Sequence, residues 1–231
     1  MRLMHHELLQ EVFAERQRLA SRRGILGGTA KVIGGGALAL AAATAPGMRR
    51  VLAQAEFADD IDVLNFALTL EHLEYAFYRD GLAQFTDEDF GESPFNQPIS
   101  QFLTDIRDHE LAHVETLTSV ITDLGGEPVQ EAEYDFGYTD ALSFLAIAQA
   151  LENTGVSAYD GAGQFISDPA LLTAAGTIVA VEARHAAYLN LLNGALPFPA
   201  PFETPLTPAE VLEIAGPFIV GDTAAEATPV A

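Results

Sequence analysis

The chain has 231 residues and 24.6 kDa, and 49% of it is hydrophobic, enough to bury a core of full size. It contains no cysteine, which excludes disulfides, thiolate catalysis, iron–sulfur clusters and cysteine-ligated zinc. Eleven basic against 33 acidic residues give a net charge of −22, which argues against nucleic acid or an anionic membrane as a partner.

The charge is unevenly spread. Residues 1–55 hold eight basic and three acidic residues, whereas residues 56–231 hold three arginines and 30 acids. All three methionines (Met1, Met4, Met48) and the single lysine (Lys31) also lie in the first segment. That segment is predicted to be an export signal. Arg22-Arg23 is followed by the aliphatic pair Ile25-Leu26 and by a mild Gly/Ala-rich apolar run from Val32 to Ala45. The run is shorter than the roughly 20 residues of a membrane-spanning helix, so no permanent span is expected after processing. Ala53-Gln54-Ala55 supplies a small-x-small cleavage site before Glu56. This layout resembles a twin-arginine signal and implies a periplasmic, cell-surface or extracellular protein. The route carries folded cargo, which favours a cofactor in the mature chain.

Residues 56–194 carry four long helical patterns. The first runs from about Asp59 to Gly81, with Asp59, Asp60 and Asp62 at its positive end. The second runs from Pro98 to Leu124 and stops at Gly125-Gly126. The third starts near Thr139-Asp140 and fades at Gly161 to Gly163. The fourth starts at Ser167-Asp168-Pro169, a cap followed by a first-turn proline, and ends at Gly194. At ~1.5 Å per residue each is roughly 35–40 Å long. The short third-to-fourth link makes those helices antiparallel neighbours. The link from Gly125 to Tyr138 is long enough to travel the length of a bundle. Residues 195–231 are predicted to form a proline-rich extended stretch and one short helix, opened by the capping box Thr207-Pro208-Ala209-Glu210 and packed on the bundle. The last residues, Thr223 to Ala231, are expected to fray. No alternating β pattern of useful length is present.

Polar residues interrupt the apolar stripe of every long helix near its middle. On the second helix, Glu110 and His113 lie among Leu103, Ile106, Val114, Leu117 and Ile121. On the fourth, Glu182 and His185 lie among Ile178, Val179, Ala186, Leu189 and Leu192. The first and third helices supply Glu71 and Glu152. Four carboxylates facing one core would wreck the fold unless neutralised, because burying each alone costs several kcal/mol. Protonation or arginine partners are alternatives, but only Arg107 and Arg184 lie near in sequence. Two divalent ions fit better: four carboxylates balance their charge and two imidazoles complete an oxygen-rich donor set suited to iron or manganese.

Leu70-Glu71-His72-Leu73-Glu74-Tyr75-Ala76-Phe77-Tyr78, His109-Glu110-Leu111-Ala112-His113 and Glu182-Ala183-Arg184-His185 carry a resemblance to the ferritin-like superfamily, most closely to secreted ferritin-like proteins related to plant desiccation-associated proteins. The resemblance covers about residues 57–220. It implies an all-α, ferritin-like four-helix bundle with a long second-to-third crossover. It further implies a dinuclear iron or manganese site, with Glu71, Glu110 and His113 around one half, Glu152, Glu182 and His185 around the other, and Glu110 and Glu182 bridging. Rubrerythrins carry an additional carboxylate on the third helix; here Gln149 and Gly155 flank Glu152 at three residues.

The remaining polar residues near the site have plainer expectations. His72 and His109 adjoin ligand positions and are read as solvated. Glu74 stands one turn from Glu71 as the alternative first-helix ligand. Tyr75, Tyr78, Tyr159 and Tyr188 are read as core residues bonded to carboxylates, with Tyr78 and Tyr159 the candidates for a redox role. The clusters Asp87-Glu88-Asp89 and Glu131-x-Glu133-x-Asp135 are expected in solvated loops. The functional expectation is an exported dimetal protein of oxidative stress that reacts with O2 or peroxide by ferroxidase, peroxidase or catalase-like chemistry, with a homodimer as its candidate assembly. Its alternative is a non-catalytic stress or desiccation-related protein in which the metal is structural.

Overall fold

The computed structural model describes residues 57–220; the export signal expected at 1–55 and the fraying expected for Thr223 to Ala231 lie outside the described residues. Four long helices dominate: α1 (Asp60–Leu82), α3 (Ile99–Asp123), α4 (Ala141–Ala162) and α5 (Pro169–Leu192). The short helices α2 (Asp87–Phe90) and α6 (Pro208–Ala215) lie between α1 and α3 and after α5. No helix among the described residues is long and apolar enough to cross a membrane.

The helix starts follow the expected chemistry. The Asp59 side chain accepts from the Asp62 amide, Asp140 from Ser143, and Asp168 from Ala170, with Pro169 in the first turn of α5. Thr207 and Glu210 close the predicted capping box at the start of α6. Gly125 and Gly194 end α3 and α5 with φ of +80° and +71°, a conformation that costs glycine little. The Asp87–Asp89 cluster forms α2, capped by Thr86 with Asp89, and this turn buries Phe90.

α1 packs along α3 and α4 packs along α5, with α1 against α4 closing one side. One level of the core holds Ala67, Leu117, Tyr159 and Ile178, and the next holds Glu71, His113, Glu152 and Glu182. Moving between those levels runs forward along α1 and α5 and backward along α3 and α4. Two parallel pairs therefore exist, and the α3–α4 connection must return along the bundle.

It does so against α1. The Asn65 side chain donates to the Glu127 carbonyl and accepts from the Val129 amide. His72 Nε2 lies 3.1 Å from the Val129 carbonyl, and Arg79 bonds Glu131 at 2.8 Å. These three residues are spaced by seven, one stripe on α1. Further along, Phe136 and Tyr138 join Phe77, Phe85, Phe90 and Phe144 in an aromatic plug in which Phe77 stacks on Phe144 at 4.5 Å. Each such pair adds about 0.5–1.5 kcal/mol beyond the area it buries.

The C-terminal segment is tied to the same crossover. Glu133–Tyr134 pair antiparallel with Ile219–Val220, a two-residue ladder too short to leave an alternating pattern in sequence. α6 lies on α4 and buries Val211 and Ala215. The chain passes α4 at Gly161, where the Leu206 backbone takes the space of a side chain and the Leu206 amide donates to the Ser157 carbonyl. Gly161→Val should push this segment off α4 and cost about 1–3 kcal/mol. Urea unfolding measures the loss, and limited proteolysis should then cut between Ala195 and Thr207 first.

Candidate metal centre

The six residues marked by the interrupted stripes meet at mid-depth. Glu71, Glu110, Glu152 and Glu182 are all inaccessible to solvent, and His185 is nearly so. They form two overlapping groups, Glu71-Glu110-His113-Glu182 and Glu110-Glu152-Glu182-His185. Within each group one potential ligand atom per residue lies within 4.8 Å of every other. Glu110 and Glu182 belong to both groups. Glu74, the alternative to Glu71, belongs to neither.

The Nδ1 atoms of the two histidines point into this space. His113 Nδ1 lies 3.1 Å from Glu71 Oε2, 3.1 Å from Glu110 Oε2 and 3.0 Å from Glu182 Oε1. His185 Nδ1 lies 3.0 Å from Glu110 Oε1 and 3.3 Å from Glu152 Oε2. Yet Glu110 Oε1, Glu152 Oε2, both oxygens of Glu182 and His185 Nδ1 make no hydrogen bond among the described residues. They are close enough but wrongly aimed. Buried acceptors without donors cost about 1–3 kcal/mol each or more when charged, and a cation between them satisfies all of them together. The donor set, four carboxylates and two imidazoles, therefore fits a metal site of the oxygen-rich kind.

Two tyrosines hold the outer oxygens. Tyr78 donates to Glu152 Oε1 at 2.7 Å, and Tyr159 donates to Glu71 Oε1. In each case the remaining carboxylate oxygen faces a histidine. Burial pushes both phenols well above their ordinary range, as do the charges of Glu152 on Tyr78 and Glu71 on Tyr159, so both keep their protons. Tyr75 and Tyr188 depart from expectation. Tyr75 lies under Arg79, and the Tyr188 ring packs against Phe102 while its hydroxyl has no hydrogen-bond partner among the described residues.

Three further polar groups, two expected to be solvated and Glu74 expected as the alternative to Glu71, make contacts around the site. His109 stacks on His185 with ring centroids 5.2 Å apart, and its Nδ1 lies 2.9 Å from His185 Nε2. The signal was available: His109 is four residues before His113, one turn down the same face. His72 is half-buried under the crossover, and burial lowers its pKa. Glu74 is buried as well, its Oε1 lying 2.9 Å from where a Cβ on Gly155 would stand. A carboxylate from α1 thus occupies the space above the α4 position that lacks one.

The protonation balance follows from burial. Burial pushes the Glu110 carboxyl up to about 7, the Glu152 charge adding to it and the imidazoles of His113 and His185 opposing it. Glu74 and Glu182 are raised well above the carboxylate range, by burial first and then by the neighbouring carboxylates. Burial would lower both histidines, but the surrounding carboxylates prevail and hold His113 near about 12 and His185 near about 11.

Comparison with known proteins places this geometry in context. The model of the ferritin-like domain family matches residues 59–195, more than half of the chain. Protein rds1 of Schizosaccharomyces pombe is 28% identical over 162 residues, which cover 70% of this chain and 40% of rds1. The match therefore takes in less than half of that relative.

The shifts fix the pH response of the metal-free protein. Glu110 is raised from 4.5 to about 7, so its contribution is complete below 4.5 and is lost as pH rises through 7. The histidines are raised from 6.5, so theirs is complete below 6.5 and declines as pH climbs toward about 11 or 12. Both have the same sign. The Glu110 shift alone corresponds to about 3 kcal/mol. Chelator-treated protein should accordingly be more stable to urea at pH 5 than at pH 8.

Proposed function

The chain belongs to the ferritin-like domain family, and from that premise we propose that its bundle holds a dinuclear iron or manganese centre reacting with O2 or peroxide, in a protein exported by the twin-arginine route. The observation that carries this reading is the shared pair Glu110 and Glu182, whose unpartnered oxygens face both histidines. Glu71 and His113 complete one half and Glu152 and His185 the other. When bound, two such ions supply one-electron chemistry to a small oxidant.

The side chains prepare that space. Tyr159 and Tyr78 tie back one oxygen each of Glu71 and Glu152, so the other oxygen is turned inward. His109 occupies Nε2 of His185 and leaves Nδ1 for the centre, the outer contact that fixes a ligating imidazole. Leu68, Val114, Val156 and Ile178 are buried and limit water access. No Met, Cys or Trp lies beyond residue 55, so the mature chain lacks the side chains that an escaping oxidant attacks first.

His109→Ala should weaken metal binding by about 10–100-fold while leaving the fold intact, measured by competition with a chromophoric chelator. Glu110→Ala should abolish binding of both ions, and chelation should lower the melting temperature at pH 7.5. Anaerobically reduced, loaded protein mixed with O2 or peroxide should oxidise within seconds in a stopped-flow spectrometer. If both oxidants persist for minutes, the centre is structural and the non-catalytic reading replaces this one. For export, N-terminal sequencing of mature protein should start at Glu56, and recovery from the cytosol with Arg2 retained would defeat that part.

A further inference from the structure

One helical turn from the carboxylates, residues of all four long helices line a cavity of about 40 Å³ that opens toward solvent past Thr116 and Ala174. Leu64, Ala67, Leu117, Tyr159, Ala175 and Ile178 are among its walls. Ala67 precedes Glu71 by four residues, Leu117 follows His113 by four, and Ile178 precedes Glu182 by four, so the cavity lies directly beneath the proposed metal centre. The Tyr159 ring forms its wall on that side while the Tyr159 hydroxyl reaches Glu71. The wall carries almost no available polar group. Its two hydroxyls are committed elsewhere, Tyr159 to Glu71 and Thr116 to the Ala112 carbonyl of its own helix.

The occupant must tolerate those surroundings. A buried water needs about two to four polar partners, and apolar cavities of protein interiors remain dry and take up uncharged guests. Hydrogen peroxide, with two donors and four lone pairs, loses its hydration here without replacement and is excluded for the same reason. An organic substrate of ordinary size needs roughly 300–1,000 Å³. A small, uncharged diatomic that makes no hydrogen bonds meets every condition.

We propose that this cavity binds dioxygen beside the metal centre, so that O2 and not peroxide is the oxidant delivered through the bundle interior. The polar approach past His109 and His113, on the α3–α5 side, remains for metal ions and protons; there His109 is exposed and His113 is half-buried. The binding itself does not require the metal, whereas the consequence for turnover rests on the proposed dimetal reading.

Crystals of the full-length purified protein pressurised with xenon, an apolar probe, separate the two. Xenon should appear between Leu64, Leu117 and Ile178. Its absence there overturns the proposal whatever the protein's activity. Ala175→Leu, on a half-buried part of the wall, and Ala67→Leu, deeper in, should each displace the xenon; either variant suffices if the other fails to fold. The same variant, loaded with ferrous iron, should react with O2 slower by about tenfold or more while its peroxide reaction changes by less than about twofold. Equal slowing of both reactions, or an unchanged O2 rate with xenon displaced, overturns the delivery role. Xenon bound at the cavity in a protein whose loaded metal ignores both oxidants counts against the proposed function and still supports the cavity as a gas site.

Discussion

Five carboxylates enclosed in one apolar core is the constraint on which the rest of this molecule depends. Glu71, Glu74, Glu110, Glu152 and Glu182 are each at most 3% exposed, and among the described residues His113 and His185 are the bases that face them. Left ionised and unpaired, such a group would exceed the few kcal/mol by which most domains are stable. Proton retention on some of them, imidazolium on the histidines, and tyrosine donors on the outer oxygens reduce the cost without removing it. The oxygens that still lack donors are those a cation would reach. Stability and metal binding are therefore one problem here, and the surrounding packing is arranged around its solution.

The long crossover shows how the fold keeps that arrangement in register. α3 and α4 run in the same direction, and that obliges the chain to return along the bundle between them. Asn65, His72 and Arg79 make the return specific by holding the strap at successive turns of α1. The aromatic plug seals the far end, and the ladder to Ile219–Val220 joins the C-terminal segment to the strap. Because α1 also carries Glu71 and Glu74, the strap braces the helix that bears two of the five buried carboxyl groups.

Much of this was legible in the sequence. Helix boundaries followed caps and glycines to within about two residues, since Asp59, Asp140, Asp168 and the Thr207 box act locally. The six residues that cluster at mid-depth could be picked out because charge on an apolar stripe is conspicuous. What escaped depends on contacts distant in sequence. Glu74 was readable as a competitor of Glu71, but that both are buried follows from Gly155 on α4 making room. His109 is exposed, in line with its expected solvation, but its contact with His185 follows from the four-residue spacing to His113 and not from its place beside Glu110. The Asn65-His72-Arg79 stripe has heptad spacing but no apolar residues, so it carries no hydrophobic signal, and a two-residue ladder carries none at all.

The two sides of the centre differ in a way that bears on its chemistry. Below it, Leu64, Ala67, Leu117 and Ile178 line an apolar cavity whose two hydroxyls, on Tyr159 and Thr116, are already hydrogen-bonded elsewhere. On the α3–α5 side, His109 and His113 offer titratable nitrogens at or near the surface, and burial with the neighbouring imidazoles lowers His109 so that it is readily neutral. Ions and protons need polar partners along their whole path, whereas an uncharged gas is slowed by them. A bundle that were polar on both sides would flood its own carboxylates and lose the low-dielectric setting that makes a cation hold them tightly. One apolar on both sides would have no route for the metal to enter. Under the proposed dimetal reading, segregating the two would let the site be loaded past the histidines while an uncharged oxidant waits in the apolar space beneath.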